Sequence, residues 1–138
     1  MTFYQAYSDE LHKQLSAIDF DVVDAFVAGL FKAWKNQQRV FICGNGGSAA
    51  NAIHLANDFN YGVNPQGRAL DAEALTANSS VVTCLANDIN YESVFSFQLI
   101  TKAKPADILI VLSGSGNSKN IVEALKKAKE LGVTSYAL

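Results

Sequence analysis

Two short stretches of this chain are dense in groups that hold anions. Gly44-Asn45-Gly46-Gly47-Ser48 and Ser113-Gly114-Ser115-Gly116-Asn117-Ser118 each join an apolar run to a helical pattern. Glycine lets the backbone approach a ligand closely and take positive φ. The helix start that follows offers unpaired N–H groups and a partial positive charge. Serine hydroxyls and asparagine amides add neutral hydrogen bonds, and the sum suits a phosphate. A single loop of this kind is equally well explained as a plain turn with a serine cap. Two in one small chain weaken that explanation, and nothing about turning a chain requires three serines. A dinucleotide is the competing ligand, because Gly44 to Ala49 reads G-x-G-x-x-A. Its acidic partner would have to be Asp71 or Glu73, both inside a candidate strand rather than at its end, and the second loop would stand unused. A P-loop is disfavoured, because no Lys-Ser or Lys-Thr follows either glycine run.

His54 and Asp58 are four residues apart in the helical pattern after the first loop, so they share a face. The pair could ligate a metal or act as acid and base beside the loops. It could equally be an ordinary helical pair, and a real metal site needs a third group. Asn87-Asp88 could cap a helix starting near Tyr91 or contact a ligand hydroxyl. His12 sits on a solvated helix and is given no role.

The elements that must carry these groups follow from periodicity. Tyr4, Tyr7, Leu11, Leu15 and Ile18 mark one helical face. Asp19 or Asp21 caps a second helix with a wide apolar stripe from Val22 to Trp34, which ends at Asn36-Gln37-Gln38. Such a stripe suits burial against both the domain and a partner subunit. Val40 to Cys43 and Ile108 to Leu112 read as strands buried on both faces, as in a parallel sheet. A helix is expected from Ala49 to Phe59, a turn around Gly62 to Gly67, and a strand or helix over 69–75. Ser79 to Leu85 reads as a short helical turn and Tyr91 to Lys102 as a helix. Ile121 to Leu131 lines a helix ended by Gly132, and Val133 to Leu138 begins another strand. Strand, glycine loop, helix, strand is a βαβ unit with a right-handed crossover. A native terminus rarely falls inside a buried sheet, so the chain is expected to be a fragment with its continuation missing.

Length and composition set the outer bounds. The 138 residues allow one domain, and 49% apolar with 17% charged residues describes a globular chain rather than a disordered one. Eleven basic against thirteen acidic residues leave a net charge of -2 and no basic stripe, which disfavours nucleic acid. No segment reads as a membrane span or a signal peptide, so no membrane partner is expected. Cys43 and Cys84 sit in apolar runs without a CxxC and read as buried free thiols of a cytoplasmic protein.

Cys43 to Ser48 with Ala52 to Asp58, Ala86 to Asp88, and Leu112 to Ser118 together resemble the active-site segments of bacterial phosphoheptose isomerases, in the sugar isomerase (SIS) domain group. The match of order and spacing covers essentially the whole chain. The resemblance implies an α/β fold, a flavodoxin-like parallel sheet flanked by helices. It implies one SIS domain over 1–138, with 1–38 as a helical packing and oligomerisation segment, and a homotetramer with sites at subunit boundaries. It also implies isomerisation of sedoheptulose 7-phosphate to D-glycero-D-manno-heptose 7-phosphate, through an enediol, for surface polysaccharide. By position, Asn45, Gly46, Gly47 and Ser48 would contact the sugar phosphate. Ser113, Gly114, Ser115 and Ser118 would cradle the phosphate, and Asn87 and Asp88 would bind hydroxyls. His54 would be a zinc ligand or polar catalytic group, and Asp58 a catalytic, zinc-capable carboxylate. The sequence departs from the family twice, with Asp58 for the usual glutamate and Gly114 for a common threonine. The family's remaining glutamine and histidine fall beyond Leu138. A regulator of the same domain type, such as a protein binding the replication initiator DnaA, is the alternative.

Overall fold

A computed structural model describes residues 1–138. The sheet has four strands, all parallel: β1 (Arg39–Gly44), β2 (Asp71–Ala74), β3 (Ile108–Leu112) and β4 (Thr134–Ala137), in the order β2-β1-β3-β4. Alternation along β1 and β3 sends successive side chains to opposite faces, and both faces are covered. Phe41, Cys43, Leu109 and Val111 enter one core with Leu75, Leu99 and Ile121. Val40, Ile42, Ile108 and Ile110 enter the other with Ala33, Ala52 and Ala56. This is why the two strands read as unbroken apolar runs.

Six α-helices flank the sheet: α1 (Phe3–Ser16), α2 (Phe20–Asn36), α3 (Gly47–Asn57), α4 (Ser79–Asp88), α5 (Ser96–Lys102) and α6 (Lys119–Glu130). Helix α2 is capped by Asp19, whose carboxylate accepts from the Asp21 N–H, and ends at Gln37 in the left-handed region. Gly29 brings α2 close to β4, since a Cβ there would lie 2.1 Å from the Tyr136 hydroxyl. Below the strands, Asp107 is buried and its carboxylate accepts from the Arg39 and Lys104 backbone N–H groups at 2.9 and 2.8 Å. That clamp aligns the entry ends of β1 and β3.

Several boundaries differ from the sequence reading. The expected helix over Tyr91–Lys102 breaks into a 3-10 turn, Tyr91–Ser93, and α5. The turn is capped by Asn90, which accepts from the Ser93 N–H, and not by Asn87-Asp88, which close α4. The short turn expected over Ser79–Leu85 is the ten-residue α4, because Asn78 caps it and nothing breaks it before Ile89. Helix α3 runs on through a π-helical turn, Asp58–Gly62. Cys43 is buried as expected, whereas Cys84 is exposed on the outer side of α4. An apolar run on a half-covered helix leaves some members facing out.

Candidate functional site

Gly44 of β1 pairs with Leu112 of β3, so both glycine loops leave the same edge of adjacent strands. The chain turns from β1 toward β2 and from β3 toward β4, in opposite directions. The crevice at such a switch point is where parallel α/β sheets bind ligands. In the first loop Gly46 has φ 56° and ψ -120°, a conformation that side chains disfavour, and it caps α3 with no side-chain bond. A Cβ on Gly44 would lie 2.8 Å from the Ser48 carbonyl carbon and oxygen. The missing side chain therefore lets the start of α3 press against the end of β1. In the second loop the Ser113 and Ser115 hydroxyls accept from the Gly116 and Asn117 N–H groups at 3.2 and 3.3 Å. Gly116 has φ 66°. Ser118 stands at the start of α6 with no capping bond from its hydroxyl. A Cβ on Gly114 would meet nothing within 4 Å, so packing does not demand glycine there.

The first loop is tied to the start of α6, immediately after the second loop. The Asn45 Nδ2 donates to Asn120 Oδ1 at 2.9 Å, and the Asn120 Nδ2 donates to Asn45 Oδ1 at 2.8 Å. The Tyr91 hydroxyl also donates to Asn45 Oδ1, at 2.9 Å. Lys119 and Glu92 form an ion pair at 2.7 Å between the same α6 start and the same 3-10 turn. Asn120 and Tyr91 escaped the sequence reading. The available signal was a polar residue, Asn120, beside Ile121 at a position the helical pattern buries.

The remaining candidates sit apart from this knot. His54 Nε2 and Asp58 Oδ2 are 3.4 Å apart, with side chains 79% and 44% exposed. Asp58 opens the π-helical turn, and His54 lies about 10 Å along α3 from its start at ~1.5 Å per residue. For zinc, this chain supplies two donors at that point, and no cluster of three His, Cys, Asp or Glu side chains occurs. A catalytic zinc needs three protein ligands, so these residues alone do not fit one. Asp88 accepts from the Asn87 amide at 2.8 Å and from the Cys84 thiol at 3.3 Å. Those bonds hold the Asp88 carboxyl below its ordinary value and push the Cys84 thiol up. Asn87-Asp88 lead directly into the turn whose Tyr91 reaches Asn45.

Asp71 and Glu73 are engaged by Arg39, at 3.1 and 2.9 Å, and Glu73 also by Lys102. Neither is placed to take a ribose, which removes the dinucleotide reading. The largest cavity, about 340 Å³, lies elsewhere, between α2 and the segment after the π-helical turn, among Val27, Phe31, Trp34 and Val63. It is almost wholly apolar and unsuited to a phosphate.

An open parallel sheet with paired serine-glycine loops at its switch point describes an α/β domain with its ligand crevice at the ends of β1 and β3. The SIS domain family model matches residues 3–138, and the chain belongs to that family. Among proteins of the family, it is 43% identical over 113 residues to a phosphoheptose isomerase of Clostridium acetobutylicum, covering 82% of this chain and 58% of that protein. It is 36% identical over 135 residues to one of Helicobacter pylori, covering 98% of this chain and 70% of that one. The structure of phosphoheptose isomerase GmhA from Neisseria gonorrhoeae superposes with a TM-score of 0.87 at 32% identity, over 98% of this chain and 71% of that chain. The chain thus spans a little under three fifths to about seven tenths of the length of these relatives. No helix is long and apolar enough to cross a membrane.

Proposed function

We propose that this chain acts as a phosphoheptose isomerase, converting sedoheptulose 7-phosphate to D-glycero-D-manno-heptose 7-phosphate. The observation that carries the reading is the pairing of the two loops across β1 and β3, with the His54–Asp58 pair farther along α3. A sugar phosphorylated at one end and isomerised at the other needs its anion site and its proton-transfer group well separated. The relatives' names supply the class of sugar.

In this reading the phosphate sits on the loop N–H groups and on the hydroxyls of Ser48, Ser113, Ser115 and Ser118. That binding, remote from the reacting carbons, holds the carbonyl end in place. Asn87 and Asp88 take hydroxyls along the chain. The Asp58 carboxylate removes the proton from carbon 1 of the ketose, the carbonyl oxygen on carbon 2 gains a proton, and an enediol forms. Return of a proton to carbon 2, with loss of the proton from the carbon 1 hydroxyl, gives the aldose. His54 orients Asp58. Zinc would need a ligand beyond His54 and Asp58, and no step is assigned to it. The protein is taken to be cytoplasmic, to serve heptose and surface polysaccharide synthesis, and to assemble as a homotetramer with sites at subunit boundaries. The named relatives weigh for this enzyme over a regulator.

The test is an NMR time course with sedoheptulose 7-phosphate in deuterated water, with and without zinc. The expected result is an aldose carrying deuterium at carbon 2. Asp58→Asn should abolish turnover, by at least about 100-fold for a general base, while phosphorus shifts on binding persist. Retained turnover in that variant removes Asp58 from the mechanism.

A further inference from the structure

The Asn45 carboxamide has four hydrogen-bonding valences, two N–H donors and two acceptor lone pairs on Oδ1. Both lone pairs are taken, one by the Asn120 amide and one by the Tyr91 hydroxyl. One N–H is taken by Asn120 Oδ1. A single N–H is left. Asn120 is buried at 3% exposure, so its half of the reciprocal pair is shielded from competing water. Oδ1 is the Asn45 atom turned toward Tyr91, whose hydroxyl donates to it.

We propose that Asn120 and Tyr91 are positioning residues that hold Asn45 as a one-donor group, facing the bound sugar phosphate with an N–H and no acceptor. The ligand atom it meets is then an oxygen offering a lone pair, and a hydroxyl donating toward Asn45 finds no partner. The three residues come from the first loop, the 3-10 turn and the start of α6. The pairing therefore also sets the spacing of the first loop and the start of α6. This inference rests on the sugar-phosphate reading above for its ligand, though not for the pairing itself.

The experiment has two parts on the full chain. The first uses no sugar. Side-chain amide resonances of Asn45 and Asn120 in the free protein should be sharp, resolved from the solvent-exposed asparagines, and linked by a cross-relaxation peak. Averaged, exposed-like signals for Asn45 would overturn the proposal whatever the activity proves to be. The second part is a double-mutant cycle on KM for sedoheptulose 7-phosphate. Tyr91→Phe removes one hydroxyl and keeps the ring, and Asn120→Asp replaces the donor amide with a carboxylate. Tyr91→Phe should raise KM severalfold and Asn120→Asp about tenfold or more, with kcat changed less, as lost binding predicts. In an Asn45→Ala background Tyr91→Phe should add nothing further. Full additivity there would show that Tyr91 does not act through Asn45. If the wild type does not turn over this sugar, the chain alone lacks the activity and KM cannot be read. The same cycle is then read on inorganic phosphate by the shift of the side-chain amide in the Asn45-containing proteins and by phosphate affinity in the Asn45→Ala background. Non-additive losses there support the coupling, and additive ones overturn it. Tyr91→Phe carries the test if Asn120→Asp does not fold.

Discussion

Two thiols in this chain face opposite fates. Burial pushes the Cys43 thiol up to about 12, so it stays protonated and unreactive inside the core. Cys84 is exposed, and Asp88 holds its proton through a 3.3 Å bond, which raises its pKa. Alkylation at neutral pH should modify Cys84 slowly and leave Cys43 untouched until the protein unfolds. Asp88→Asn removes the negative charge beside the thiol and should speed labelling of Cys84 severalfold, as read by intact mass against time. A sugar hydroxyl bound at Asp88 in place of the thiol should have the same sign of effect. At this scale the sequence exposed the loop serines and the helical spacing of His54 and Asp58, because both are local patterns. It hid the Asn45–Asn120 pair, whose members are 75 positions apart and meet only through the sheet.

At the scale of elements, the first loop depends on a missing side chain. Gly44→Ala places a methyl 2.8 Å from Ser48 backbone atoms, which cannot swing aside as a side-chain tip would. The start of α3 must move away from β1. Overpacking of this kind costs roughly 1–3 kcal/mol, and phosphate binding should weaken along with urea stability. At the outer strand, Glu73 is held between Lys102 and Arg39. Partial burial raises its pKa, but the Lys102 and Arg39 bonds and charges outweigh that, and the net shift is downward. A depressed carboxyl contributes stability above its unfolded pKa and loses it as pH falls through the folded value. Glu73→Gln should therefore lower the urea midpoint at pH 7, and the gap to wild type should close on the acid side. A constant gap across pH would mean packing rather than charge. The strands β1 and β3 were plain in the sequence, since a doubly buried strand is an unbroken apolar run. The break between the 3-10 turn and α5 was not, because both halves keep helical dihedrals and spacing at Val94 and Phe95. The expectation that Asn87-Asp88 cap a helix failed for a related reason, as Asn90, two residues on, does that work.

At the scale of the molecule, the N-terminal helices are out of balance with the rest. Helix α1 buries no residue, yet Tyr4, Tyr7, Leu11 and Leu15 form its apolar face, with Ile18 exposed just past its end. On α2, Val27 and Phe31 stay 55% and 62% exposed while Ala33 is fully buried. An isolated helix of fourteen residues is marginal in water, and its end cap, a Thr2–Gln5 capping box, contributes about 1 kcal/mol. Folding α1 alone against solvent therefore gains little, while covering both stripes would bury large side chains at about 25 cal/mol per Å². A second copy of the chain offers the same stripe in return, which is the self-complementarity closed symmetry uses. Sedimentation at micromolar protein should accordingly give an oligomer, with four subunits on the proposed assembly. Leu11→Glu combined with Val27→Glu should shift it toward monomer and leave the sheet intact, because neither side chain enters a sheet core. If the loops are complete within one subunit, the dissociated variant keeps phosphate binding and loses turnover. A wild type that sediments as a monomer would instead leave α1 without a partner, and its amides should then exchange with solvent far faster than those of α6.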